Sequence, residues 1–145
     1  MGSITIPNNS RIYLDADCFI YSVERHPDYW PLIKPVWTSA ADSLISIFSS
    51  QLIITETLVV PLRSGNFSII TSYEAFLSAG DLQLLPITEA VLREAASIRA
   101  KYNVKTPDAI HAATALLSKC DIFLTNDKEF GRFTELNVLI AGDSM

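Results

Sequence analysis

Cysteine and histidine are scarce in this sequence, two of each in 145 residues. Cys18 and Cys120 are too few for a disulfide framework, and no Cys/His cluster has zinc spacing. That scarcity points to a reducing compartment. No apolar run approaches the ~20 residues of a membrane span. The opening MGSITIPNNSR has no basic stretch leading into an apolar one, so no secretory signal is expected. Repeats, low-complexity tracts and linker-like stretches are also missing. The expectation is one soluble, cytoplasmic domain over residues 1–145, with no membrane contact and with residues 1–10 as a flexible N-terminal extension.

Basic residues are few as well: eleven against sixteen acids, a formal charge of −5. Such a balance normally argues against nucleic-acid binding. The argument fails if several acids are gathered on a cation, because the remaining charges then nearly balance. With 49% hydrophobic and 19% charged residues, the chain has ample material for a folded core.

The apolar pattern changes period along the chain. Arg11–Asp15 is a short, nearly continuous apolar run closed by an acid, as in a strand buried on both faces. A helix from Cys18 is stopped by His26-Pro27-Asp28, and a second spans about Tyr29–Ala41 despite Pro35. Leu44–Phe48 alternates like a strand. Ser49 and Ser50 then offer caps for a helix over Gln51–Val60, which Pro61 kinks or ends. Ser68–Ser78 reads as helix and Leu82–Leu85 as strand. Thr88 caps a helix to about Tyr102, with Glu89 in the first turn and Arg99 and Lys101 in the last. Thr106-Pro107-Asp108 is a helix start, with Thr106 as capping hydroxyl. Strands Asp121–Thr125 and Val138–Ala141 complete the series. Alternating strands and helices imply an α/β fold with a mostly parallel sheet of about five strands.

In such sheets ligands bind beyond the carboxyl ends of the strands. Four acids fall at such junctions: Asp15, Glu56, Asp108 and Asp127. Carboxylates brought together repel one another, and a divalent cation removes that conflict. All-oxygen ligands suit Mg²⁺ or Mn²⁺, while the missing thiolates argue against zinc or copper. The reaction class that such a site serves is phosphodiester hydrolysis.

The segments carrying these acids also form a pattern. Leu14-Asp-Ala-Asp-Cys-Phe-Ile-Tyr21 resembles the opening motif of PIN-domain nucleases. Ser50-Gln-Leu-Ile-Ile-Thr-Glu56, followed by Val60-Pro-Leu-Arg63, is similar to their second motif. Thr106-Pro-Asp-Ala-Ile-His-Ala-Ala-Thr114 resembles the third, and Asp121-Ile-Phe-Leu-Thr-Asn-Asp127 the fourth. The four occur in order over nearly the whole chain, and within the family they look most like VapC-type toxins. The resemblance implies a three-layer α/β/α sandwich and a ribonuclease with Asp15, Glu56, Asp108 and Asp127 as its metal-binding, catalytic acids. It implies Mg²⁺ or Mn²⁺, an RNA substrate, a homodimer and a cognate antitoxin. Thr125 and Asn126 match the polar residues ahead of the last acid, which they could orient. Asp17 stands where the family usually has asparagine; it takes part in metal binding, stays protonated or points away.

Other residues divide between chemistry and packing. His111, three residues after Asp108, reads as a packing histidine rather than a group acting near phosphate. Arg63 is open between a phosphate or antitoxin contact and an ordinary surface charge. Arg93, Arg99, Lys101 and Lys105 form a local basic concentration beside Asp108. Phe19, Tyr29, Trp30 and Trp37 could stack on bases, but core or dimer packing is the better reading. Two alternatives remain: a non-catalytic binding module of the same fold, and a phosphatase of the haloacid-dehalogenase type. The second would use the Asp15–Asp17 pair but wants threonine where Phe19 stands.

Overall fold

Ile12, Tyr13 and Leu14 of the first strand, β1 (Arg11–Leu14), have no exposed surface, because β1 lies at the middle of the sheet. The computed structural model describes residues 4–145. The other strands are β2 (Ser46–Ser50), β3 (Leu82–Leu85), β4 (Ile122–Thr125) and β5 (Val138–Ile140). Their order is β3-β2-β1-β4-β5, and every pairing is parallel. All carboxyl ends therefore share one edge of the sheet.

The register explains the two cores. Ile12 lies opposite Ile47 and Ile122, and Tyr13 opposite Phe48 and Phe123. Alternate residues point to opposite faces, so Ile12, Leu14, Ile47 and Leu124 share one side. There they meet α1 (Ala16–Glu24), α2 (Trp30–Ala41), α3 (Leu52–Ser64) and α4 (Phe67–Leu77) through Phe19, Ile33, Ile53 and Tyr73. Tyr13, Phe48 and Phe123 face α5 (Glu89–Tyr102) and the Ala-rich α6 (Thr106–Leu117). Each fully buried Ile, Leu or Phe contributes about 1.5–3 kcal/mol relative to exposure. The result is the expected three-layer α/β/α sandwich around a five-stranded parallel sheet.

Several boundaries differ from the sequence reading, for local reasons. β2 runs two residues later than expected, so Ser49 and Ser50 lie in the strand, fully buried. The Ser49 hydroxyl donates to the Leu14 carbonyl at 2.7 Å, which lets a serine sit between central strands. Of the two expected caps, Ser50 does accept from the Leu52 N–H at 3.0 Å. α3 continues one turn past Pro61 and ends at Gly65, whose φ of 69° suits glycine. α1 begins at Ala16, earlier than Cys18, because Asp15 caps it. Thr106 is the first helical residue of α6 rather than its cap; Lys105 holds the cap position without a side-chain bond. Of the expected N-terminal extension, residues 1–3 lie outside the described residues, whereas Ile4 is buried in the first core. No helix among the described residues is long and apolar enough to cross a membrane.

Candidate active site

Asp15 follows β1 directly and is only 7% exposed. Its backbone N–H donates to the Leu124 carbonyl at 2.9 Å, which continues the β1–β4 pairing and fixes the residue at the sheet edge. Both carboxylate oxygens have donors: the Ala16 N–H at 2.8 Å and the Thr125 hydroxyl at 2.7 Å. Thr125 closes β4 and is fully buried, and its hydroxyl also accepts from the Asp127 N–H at 3.0 Å. Thr125 thus ties the carboxylate of the first acid to the backbone of the last.

Asp17 lies in the first turn of α1. It accepts from the Cys18 N–H at 2.6 Å and from the Asn126 N–H at 2.9 Å, with the Thr125 hydroxyl at 3.4 Å. The two backbone N–H groups donate to it, an environment that suits a carboxylate, while the single proton of the Thr125 hydroxyl goes to the nearer Asp15. The Asn126 side chain turns away from the acids. Its amide donates to the Tyr21 hydroxyl at 3.2 Å and its carbonyl accepts from the Gly142 N–H at 2.8 Å. A Cβ on Gly142 would come within 2.9 Å of that carbonyl oxygen, so a larger residue there would have to shift the Asn126 side chain.

Glu56, in α3, accepts from the His111 Nε2–H at 2.6 Å. The other ring nitrogen of His111 lies 2.6 Å from the Tyr13 hydroxyl, and Nε2 is 3.9 Å from Asp15. His111 therefore stands between Glu56 and Asp15, 1% exposed. Asp108 is in the first turn of α6, half-buried, and Asp127 caps the short 3-10 turn Lys128–Arg132.

The electrostatics are those of crowded acids. Burial raises the Asp15 pKa, against the lowering by His111 and the Thr125 hydrogen bond. Burial and then the Asp15 charge push Asp17 up to about 6. Asp108 is raised by burial and then by the Asp127 charge. Burial opposes charge on His111, but the Glu56 hydrogen bond and the charges of Asp15, Glu56 and Asp108 outweigh it, and the imidazole pKa rises.

A hard dication fits this donor set by chemistry, since the groups are carboxylates whose mutual repulsion a positive charge would relieve. Among the described residues, no three acidic, histidine or cysteine side chains already stand in a coordinating arrangement. Glu56 is held by His111, and Asp17 by the Asn126 backbone.

The peripheral candidates fare differently. Arg63 lies exposed in the last turn of α3. Arg93 pairs with Glu89, Lys101 with Glu135, and Arg99 donates to the Val104 carbonyl, so these three serve local structure. Phe19 is core, and the Trp37 indole donates to Ser22 at 2.8 Å. Tyr29 stacks on Tyr21 with centroids 4.6 Å apart, while Trp30 is half-buried with the Arg25 guanidinium 5.6 Å from its ring centre. His111 is buried, as a packing histidine would be, but its bonds to Tyr13 and Glu56 and the close approach at Gly142 were not anticipated from sequence. A lone histidine in an alanine-rich helix beside Asp108 was the available signal.

No curated protein matches the chain significantly by sequence. Solved structures do match in fold. VapBC2 from Rickettsia felis, bound to a DNA fragment from its promoter, aligns with a TM-score of 0.74 at 16% identity over 90% of this chain and 98% of that one. VapC20 from Mycobacterium tuberculosis, described as a sarcin-ricin loop cleaving toxin, gives 0.68 at 14% over 86% and 98%. FitAcB from Neisseria gonorrhoeae gives 0.66 at 20% over 90% and 98%. The PIN domain model matches residues 12–136, a span that opens inside β1 and takes in every acid described above. On that match the chain belongs to the PIN-domain family.

Proposed function

We propose that this protein is a metal-dependent endoribonuclease, the toxin of a type II toxin–antitoxin pair, which hydrolyses RNA phosphodiester bonds. The observation that carries the reading is the group of acids at the carboxyl edge of a parallel sheet, with Asp15 buried and Asp17 half-buried against their own repulsion. Asp15, Glu56, Asp108 and Asp127 would hold Mg²⁺ or Mn²⁺. When bound, such a cation supplies charge stabilisation at the phosphoryl oxygen and an activated water. The chain's own part is orientation: Thr125 and the Ala16 N–H fix Asp15, and the Thr125 hydroxyl anchors the backbone of Asp127. Lys105, whose charge opposes the raised pKa of Asp108, offers a cation for an approaching phosphate.

A protein partner is supported separately. Val59, Val60, Leu62 and Phe67 at the α3–α4 corner are exposed, Phe67 by 77%. An apolar cleft of about 440 Å³ between α2 and α4 is lined by Trp30, Trp37 and Phe76. Surfaces of this kind suit an antitoxin or a second copy of the chain. The similar solved structures include toxin–antitoxin complexes, which favours the antitoxin.

The test is cleavage of structured and single-stranded RNAs by purified protein with Mn²⁺, with Mg²⁺ and with chelator, beside Asp15→Asn. Cleavage that needs both cation and Asp15 is the expected outcome. Cleavage by a folded Asp15→Asn protein, or cleavage in chelator, contradicts it. No cleavage and no Mn²⁺ binding would favour a binding module. Turnover of a small phosphomonoester would favour the phosphatase, against which the fully buried Phe19 already stands.

A further inference from the structure

Tyr13, His111 and Glu56 form a chain of hydrogen bonds that runs from the central strand to the acids. The Tyr13 hydroxyl is 2.6 Å from His111 Nδ1, and Nε2 is 2.6 Å from Glu56 Oε1. A carboxylate oxygen accepts, so the Nε2 proton belongs to this bond. A neutral ring then has Nδ1 as an acceptor, and the Tyr13 hydroxyl supplies its donor. Tyr13 is fully buried and clamped: its ring stacks on Phe123 at 5.1 Å and meets the imidazole edge-on at 5.8 Å. The imidazole is 1% exposed and bonded at both nitrogens, which holds its plane between Tyr13 and Glu56. Glu56, by contrast, is 27% exposed in its side chain and sits on a helix rather than in the sheet. Without a partner it would be free to adopt several rotamers.

We infer that His111 is a positioning residue, which fixes the Glu56 carboxylate among the acids in a ring orientation set by the Tyr13 hydroxyl. One oxygen of Glu56 is taken by Nε2–H, and the other is left for a ligand. Hydrogen-bond partners that orient a metal-binding side chain typically matter by about 10–100-fold in metal affinity. The consequence for cation affinity rests on the reading of these acids as a metal site; the His111–Glu56 bond itself does not.

The experiment therefore has two readouts. The first is nitrogen-15 NMR of the His111 ring in cation-free protein at mildly alkaline pH. A proton on Nε2 whose resonance moves in Glu56→Gln is the expected result. A ring protonated at Nδ1 alone, or an Nε2 resonance indifferent to Glu56→Gln, overturns the inference. The second is Mn²⁺ affinity by calorimetry. The double variant Tyr13→Phe/His111→Leu removes both polar partners together and leaves no buried hydroxyl stranded. Its affinity should fall about tenfold, and His111→Gln, which keeps an N–H donor, should restore most of it. Wild-type affinity in a folded double variant overturns the positioning role. If the wild-type protein binds no Mn²⁺, the nuclease reading fails, and the ring spectrum still decides the inference.

Discussion

Thr125 and Asp15, 110 residues apart in sequence, share a 2.7 Å hydrogen bond in which the buried hydroxyl donates to the buried carboxylate. The same hydroxyl accepts from the Asp127 N–H. Thr125→Val keeps the shape and removes both bonds. It should lower stability by about 1–3 kcal/mol, the cost of stranding a buried polar partner. RNA cleavage should fall with it, while Thr125→Ser retains most of both. Urea denaturation and a cleavage assay on the three proteins check this.

Asp17 sets a pH dependence in the cation-free protein. Its pKa is about 6 when folded against the ordinary 3.8, so between those values the folded state holds a proton that the unfolded chain has released. Stability then falls as pH rises through that window. The raised imidazole pKa of His111 acts in the same direction, since stabilisation present below its ordinary value is lost as pH rises through the folded one. In chelator the melting temperature should be lower at neutral pH than at pH about 5. Asp17→Asn should flatten that slope and raise neutral-pH stability by at most about 3 kcal/mol.

Added cation should reverse the neutral-pH deficit. A ligand that binds only the folded state stabilises it by about 2.7 kcal/mol at a hundred times its dissociation constant. Thermal melts with increasing Mn²⁺ should show a rising midpoint for the wild-type protein and a flat one for Asp15→Asn. Equal rises in both would place the cation elsewhere.

Gly142→Ala should act at a distance. The added methyl would meet the Asn126 carbonyl oxygen at 2.9 Å and displace a side chain bonded to the Gly142 N–H and the Tyr21 hydroxyl. Loss of those bonds costs about 1–2 kcal/mol. Because the Asn126 N–H also holds Asp17, cleavage should decline more than the stability loss accounts for. An unchanged melting temperature and rate would show that Asn126 relaxes freely.

Much of this could be read from residues whose neighbours in sequence decide their state. Thr88, Glu89, Arg99 and Lys101 bracket α5 by capping and dipole alone, and the helix lies where they put it. Asp15 closes one apolar run and Asp127 lies two residues past the strand that ends at Thr125, which placed both at the sheet edge. Ser49 misled because a serine ahead of an apolar segment resembles a cap; its place in the strand rests on pairing opposite Leu84 and on the Leu14 carbonyl, both some 35 residues away. The partners of His111 were hidden for a similar reason. Its helix identified it as buried, but its partners Tyr13 and Glu56 lie 98 and 55 residues away, and no local pattern pairs them.

β1, the central strand, is joined on one side by β2 and on the other by β4, which arrives 110 residues later at the Ile12–Ile122 pairing. Parallel pairing over such a separation comes late in folding, after loop closure over most of the chain. The helices can form early and locally, yet Asp15 meets Thr125 and Asp127 only when β4 docks. In refolding, recovery of cleavage should therefore lag behind helical signal and coincide with the slowest phase. The acid cluster thus gains its Thr125 clasp between Asp15 and Asp127 only in the step that seats β4.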